Sequence, residues 1–156
     1  MKGFTLFETI IAIGLILVGL VAALTLVTTS LFYSSNIQNC LIAANLAAEG
    51  IEVIRNIRDN NWLQDIPWDS WLVDNGDYQV AYNSTTHLSA YYGQPILFDQ
   101  ATNLYSYDSG VATPFVRKIS ITNLSDNEIK ITSTVTWRSR GISHESSAED
   151  RLFNWK

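Results

Sequence analysis

The chain has 156 residues, 47% of them hydrophobic, and a formal net charge of −5. That length excludes a large multidomain enzyme, and the absence of a basic stripe disfavours a nucleic-acid binder that works by counterion release. Charge is spread unevenly. The forty residues from Thr9 to Ala48 carry none, the stretch from Asp59 to Asp108 sums to −7, and the tail from Ser109 to Lys156 sums to +2. The charge-free opening disfavours a fully soluble globule.

From Ile10 to Val27 the sequence is apolar except for Thr25. At about 1.5 Å per residue, such a helix covers about 27 Å, close to the hydrocarbon thickness of a bilayer. A secretory signal peptide, a plain anchor and a processed anchor all start this way. The apolar core is long for a signal peptide, and Leu24 to Val27 continue it past the small pair Ala22-Ala23. A plain anchor leaves Glu8 unexplained, because a carboxylate at the edge of hydrocarbon costs on the order of 2–3 kcal/mol.

The string Lys2-Gly3-Phe4-Thr5-Leu6-Phe7-Glu8, followed at once by an apolar helix, resembles the type IV prepilin family, which includes the pseudopilins of type II secretion. The resemblance covers about the first thirty residues. It implies that a membrane-embedded prepilin peptidase cuts between Gly3 and Phe4, and that Phe4 becomes an N-methylated first residue. Glu8 then holds the family's glutamate position, where a carboxylate neutralises the amino-terminus of a neighbouring subunit. Two costly charges become one charge-assisted contact in the assembled filament. Two features depart from the pattern: the leader Met1-Lys2-Gly3 carries only one base, and no proline precedes Pro67.

A helical pattern continues beyond the apolar run. Ile42, Leu46, Gly50, Val53 and Ile57 fall on one face, with Glu49, Glu52, Asn56 and Asp59 mainly on the other. The helix is expected to end near Asn60-Asn61, giving about 84 Å from Phe4 to Asp59. Leu46-Ala47-Ala48-Glu49-Gly50-Ile51-Glu52-Val53-Ile54-Arg55 is similar to a stretch of minor pilins and minor pseudopilins. By itself it also reads as a solvated helix face with intrahelical pairs. Cys40 is the only cysteine, so no intramolecular disulfide exists, and its apolar neighbours favour an inert packed thiol.

The remainder switches to period-two alternation. Trp71-Leu72-Val73 and Tyr78 to Tyr82 flank Asp74-Asn75-Gly76-Asp77, which predicts a hairpin. Pro95 to Phe98 and Leu104 to Tyr107 are weaker strands. Phe115 to Thr122 places Ile119 and Ile121 on one face. Glu128 to Arg138 places Ile129, Ile131, Val135 and Trp137 inward, after a turn at Leu124 to Asn127. A last strand is expected from Ser146 to Phe153, after a break at Arg140-Gly141. An antiparallel sheet with one wet face needs an apolar cover, and the second half of the long helix supplies it. The expected fold is therefore α+β: leader 1–3, transmembrane and filament-core helix 4–30, amphipathic helix 31–60, and antiparallel head 61–156.

Trp62, Trp68 and Trp71, with Asp65 and Asp69 between them, read as a packing anchor or as a sugar- or cation-binding face. The Asp74–Asp77 string reads as a turn and lacks the spaced carboxylates of a calcium loop. His87 has no acidic neighbour, and His144-Glu145 is no zinc helix. Neither a nucleophile elbow nor a phosphate loop occurs. The expectation is a non-enzymatic minor subunit of a type IV pilus or type II secretion pseudopilus, without cofactor or metal. Its expected partners are the prepilin peptidase, other pilin or pseudopilin subunits, an inner-membrane assembly platform and membrane lipid, with no direct nucleic-acid binding. It is expected in the inner membrane as a single pass, its head outside the cytoplasm. The alternative is a membrane-anchored or secreted β-rich binding domain.

Overall fold

A computed structural model describes Gly3 and residues 5–72, 74–85 and 88–155. The chain divides into two compact units, residues 1–39 and 40–156. The first unit is helical from Leu6 onward, as the N-terminal part of helix α1 (Leu6–Leu63). Its best apolar 18-residue window is long enough to cross a membrane, and none of it is buried within the protein. The hydroxyls there are satisfied locally. Thr25 Oγ1 donates to Val21 O at 2.9 Å, and Thr28 Oγ1 donates to Leu24 O at 3.1 Å, so neither requires water.

The second unit lays the rest of α1 on antiparallel sheet, the α+β arrangement that the period change in the sequence predicts. Five strands, β1 (Gly76–Gln79), β2 (Ser89–Ala90), β6 (Val116–Ser125), β7 (Glu128–Ser139) and β8 (Ile142–Phe153), pair in the order β2-β1-β6-β7-β8. A small sheet, ordered β4-β3-β5, comprises β3 (Leu97–Asp99), β4 (Leu104–Ser106) and β5 (Val111–Ala112). Alternation puts Ile119 and Ile121 of β6, and Ile129, Ile131, Val135 and Trp137 of β7, on the buried face. These meet Ala43, Leu46, Ala47, Ile51, Ile54 and Ile57 of α1.

Several boundaries differ from the sequence expectation for physical reasons. The helix continues past Asn60-Asn61 to Leu63, because the Asn61 side chain serves the next loop, donating from Nδ2 to Trp68 O and Ser70 O. It stops in a Schellman arrangement: Asp65 N donates to Trp62 O, Ile66 N donates to Asn61 O, and Asp65 takes the left-handed position at φ 54°. The predicted hairpin across Asp74–Asp77 does not form. Trp71 has φ 73°, Leu72 N donates to Asp69 O in a turn, and β1 pairs with β2 and β6; Val73 lies outside the described residues. Strand β8 starts at Ile142, because Arg140 (φ 50°) and Gly141 (φ 82°) are both left-handed and make a tight two-residue hairpin turn. Asp126 and Asn127 alone turn between β6 and β7, with an irregular register between Asn123 and Ser125.

Candidate functional site

The start of α1 is built from the residues that the sequence singled out. Gly3 is exposed, and a Cβ there would meet nothing within 4 Å. Phe4 and Lys2 lie outside the described residues, and with them the expected methylation site and one side of the expected cleavage bond. Thr5 precedes the helix as its N-cap: Glu8 N donates to Thr5 Oγ1 at 3.3 Å, and Thr9 N donates to Thr5 O at 3.2 Å. Glu8 falls in the first turn, three residues after the cap, where a carboxylate suits the positive end of the helix dipole. It is exposed and, among the described residues, its carboxylate has no hydrogen bond or ion pair. The apolar side chains on either side of it, Leu6 and Phe7 before and Ile10 to Val27 after, are open as well.

In the second unit, the stretch around Glu49 does more than the solvated face expected of it. Arg117, on the inward side of β6, is 1% exposed. Its Nη1 donates to Leu46 O at 2.8 Å, its Nη2 donates to Val80 O, and Glu49 Oε1 lies 3.3 Å from Nη1. The guanidinium thus joins α1 to the segment after β1. Because Val80 O is used there, β1 ends at Gln79, short of the predicted Tyr82. Gly50 makes this approach possible. A Cβ at Gly50 would sit 2.6 Å from Ser133 Oγ, 2.7 Å from Ile119 Cδ1 and 3.3 Å from Arg117 Cδ. Arg55 pairs with Glu52 at 2.5 Å and, across the interface, with Asp150 of β8 at 2.7 Å. Of the motif's charges only Glu52 and Arg55 form the intrahelical pair expected of an exposed face.

The aromatic residues separate. Trp68 joins the core, Trp71 is half exposed, and Trp62 pairs instead with Trp155, with ring centroids 4.5 Å apart. Arg58 lies 4.7 Å above the Trp62 ring and is paired with Asp59 at 2.8 Å. Sequence proximity pointed to Trp71 as the third member, and nothing in the local pattern marked Trp155.

The Asp74–Asp77 segment is tied to β6. Asp77 Oδ1 accepts from Ser120 Oγ at 2.6 Å, Asp77 Oδ2 accepts from Lys118 Nζ at 3.2 Å, and Asn75 Oδ1 accepts from Asn123 N at 2.6 Å. The Ser120 hydrogen bond, reinforced by Lys118, holds the Asp77 carboxyl below its ordinary range against the opposing effect of burial. Cys40 is exposed, not packed, because burial of α1 against the sheet begins at Ala43. His144 stacks on Trp137 with ring centroids 5.4 Å apart, and His87 lies outside the described residues. No group of three or more His, Cys, Asp or Glu among the described residues is placed to hold a metal ion. No family model, curated protein or solved structure matches the chain.

Proposed function

We propose that this protein is a minor subunit of a type IV pilus or a type II secretion pseudopilus, cut between Gly3 and Phe4 by a prepilin peptidase and methylated at Phe4. The observation that carries the reading is the first part of α1: a charge-free helix whose apolar window has no cover within the chain, entered through an exposed Gly3 and a lone Glu8. Such a surface needs lipid or other helices around it. Lipid covers it while the subunit waits in the inner membrane as a single pass with its head outside the cytoplasm. Neighbouring subunits cover it after an assembly platform extracts it into the filament. Glu8 then neutralises the amino-terminus of an adjacent subunit, which makes filament entry electrostatically selective. The role is structural and needs no catalytic group, cofactor or nucleic-acid contact.

The N-terminal sequence and intact mass of the mature protein test this directly. A chain beginning at N-methylated Phe4 supports it. Retention of Met1, or a start beyond Ala23, overturns it.

A second reading is favoured by one observation. Thr5 and Glu8 have the spacing and the backbone hydrogen bond of a capped helix start, which gives Glu8 a use without any neighbour. On that reading the chain is an anchored or secreted β-rich binding domain, and removing the Glu8 charge leaves its function intact.

A further inference from the structure

The turn from β7 into β8 lies at the end of the sheet where α1 enters it. Ile129 and Ile131 of β7 share a cluster with Ile54 and Ile57, whereas Val135 and Trp137 share one with Ala43, Leu46 and Ala47. Strand β7 therefore runs against the direction of α1, and its last residues reach the entry end. Arg138, Arg140 and Ile142 stand at this turn and are all exposed, Ile142 by 61%. Beside them is an open groove of about 360 Å3, lined by Pro114, Val116, Thr136, Trp137, Arg138 and Ser143. Small-ligand sites start at about 300 Å3, so the groove suits a compact headgroup.

The lining selects the ligand. Arg138 Nη2 donates to Gly141 O at 3.3 Å, and among the described residues Arg138 forms no ion pair. The chain's terminal carboxylate is out of reach, because Lys156 follows Phe153 by three residues, at the other end of the 12-residue β8. Thr136 and Ser143 add hydroxyls, and among the described residues no carboxylate lines the groove. The nearest one in the strand register, Glu145 opposite Thr136, lies one pair further from the turn than Arg138 and Ser143. An arginine fork beside hydroxyls fits a phosphate group, and Pro114 and Val116 give apolar surface next to it. The apolar run supplies the source of that phosphate. Only the residues from Thr28 to Asn39 separate it from Cys40, a reach of at most about 43 Å even when fully extended. A membrane that holds the run thus keeps this end of the head at high effective concentration. An exposed isoleucine beside two arginines suits the boundary between headgroups and acyl chains. We infer that the groove beside the β7–β8 turn binds the phosphate headgroup of an anionic membrane lipid through Arg138, with Arg140 and Ile142 at the same surface. This rests on the membrane placement of the apolar helix, common to a filament subunit before extraction and to an anchored domain, and not on filament entry.

The test uses the full chain in nanodiscs of phosphatidylcholine, with or without one-third phosphatidylglycerol, each carrying a trace of lipid with a nitroxide on its headgroup. Ser139→Cys in a Cys40→Ser background carries a fluorescent label at the turn, and Asp126→Cys carries one at the opposite end of β7. Quenching of the turn label should rise several-fold with phosphatidylglycerol and fall to the phosphatidylcholine level in Arg138→Gln. Arg138→Lys, which keeps the charge without the fork, should retain part of it. Arg151→Gln, at the far end of β8, should retain all of it, and the label at the Asp126 turn should stay unquenched. Unchanged melting temperatures show that the variants are folded. Quenching that ignores lipid charge, or that survives Arg138→Gln in full, overturns this inference alone. So does a turn label drawn off the discs by soluble polyglutamate at a charge equal to that of the lipid, which identifies an acidic protein segment as the occupant. A chain that elutes apart from the discs overturns the membrane placement as well.

Discussion

Arg117 and Glu49 form a charge pair at the interface of helix and sheet, Nη1 to Oε1 at 3.3 Å, in which the arginine side chain is wholly buried and the glutamate a third exposed. The guanidinium's hydrogen bonds go instead to two backbone carbonyls, of Leu46 and Val80. The position lies between two apolar clusters, one around Ile54, Ile119 and Ile131 and the other around Ala43, Leu46 and Trp137. A buried cation there costs desolvation, which the two carbonyls and the Glu49 charge offset while Arg117 Nε has no hydrogen-bond partner among the described residues. What the pair supplies is register: it fixes which turn of α1 meets which residues of β6.

Removing the arginine should therefore destabilise the head more than removing the glutamate. Arg117→Ala strands two buried carbonyls and opens a cavity, and should cost about 3–5 kcal/mol. Glu49→Gln keeps a hydrogen-bonding side chain at a partly solvated position and should cost about 1–2 kcal/mol. Urea denaturation followed by tryptophan fluorescence checks both. Equal losses would show that Arg117 acts through its pairing with Glu49 alone, with the carbonyl hydrogen bonds adding nothing.

Gly50 and Ser133 offer a sharper test of the same junction. A methyl group at Gly50 overlaps Ser133 Oγ and Ile119 Cδ1, and overpacking of this kind costs about 1–3 kcal/mol, against about 1 kcal/mol gained in helix propensity. Gly50→Ala should thus be neutral to destabilising by about 2 kcal/mol. Among the described residues Ser133 Oγ is buried without a hydrogen-bond partner, so Ser133→Ala should be neutral or stabilising. The double variant should recover part of the Gly50→Ala loss, because the shorter side chain removes the closest overlap. Strict additivity in a double-mutant cycle would contradict the contact.

The parts of this junction differ in how far they could be read from residue order. Alternation in Ile119, Ile121, Ile129, Ile131, Val135 and Trp137 is a local signal, and all six are buried as their period predicts. The helical spacing of Leu46, Gly50, Val53 and Ile57 is local too, and those four are buried as well. Arg117 sits at an inward position of the same alternation, but a charged residue there reads as an exception until its partners are known, and these lie 71 and 37 residues away. The pairing of Trp155 with Trp62 is illegible for the same reason, because the two lie far apart in the chain. The Asp74–Asp77 string misled in the opposite sense. Its local turn chemistry was overridden when Asp77 and Asn75 found partners on β6.

Asp77 gives a pH signature. Its carboxyl is held below the ordinary value of 3.8, first by the Ser120 hydrogen bond and then by Lys118. A carboxyl whose pKa is lower folded than unfolded contributes stability that is fully present above the unfolded value. That contribution is lost as pH falls through the folded value. Asp77→Asn should therefore lower the melting temperature near neutral pH and leave it nearly unchanged below the folded-state pKa. Because the carboxyl is close to half exposed, the effect should be small and should shrink with added salt. A melting-temperature difference that stays constant from neutral pH to strong acid would exclude the carboxylate as its source.

Glu8 separates the two functional readings, provided the substitution keeps the helix start intact. Glu8→Leu removes both the charge and the first-turn polarity, so a loss of function could follow from either. Glu8→Gln preserves the spacing from Thr5 and the backbone hydrogen bond from Glu8 N to Thr5 Oγ1, and deletes only the charge. Thr5→Ala does the converse, weakening the cap by about 1 kcal/mol while keeping the carboxylate. If Glu8 neutralises a neighbour's amino-terminus, Glu8→Gln should insert into the membrane normally, be cleaved after Gly3, and yet be excluded from sheared filament fractions. Thr5→Ala should then enter those fractions. If the carboxylate serves only the start of its own helix, Glu8→Gln should behave as the parent, and the anchored-domain reading gains. Membrane fractionation, mass of the processed chain and immunodetection in the filament fraction measure the three steps separately, so a defect in insertion or cleavage is not mistaken for one in assembly.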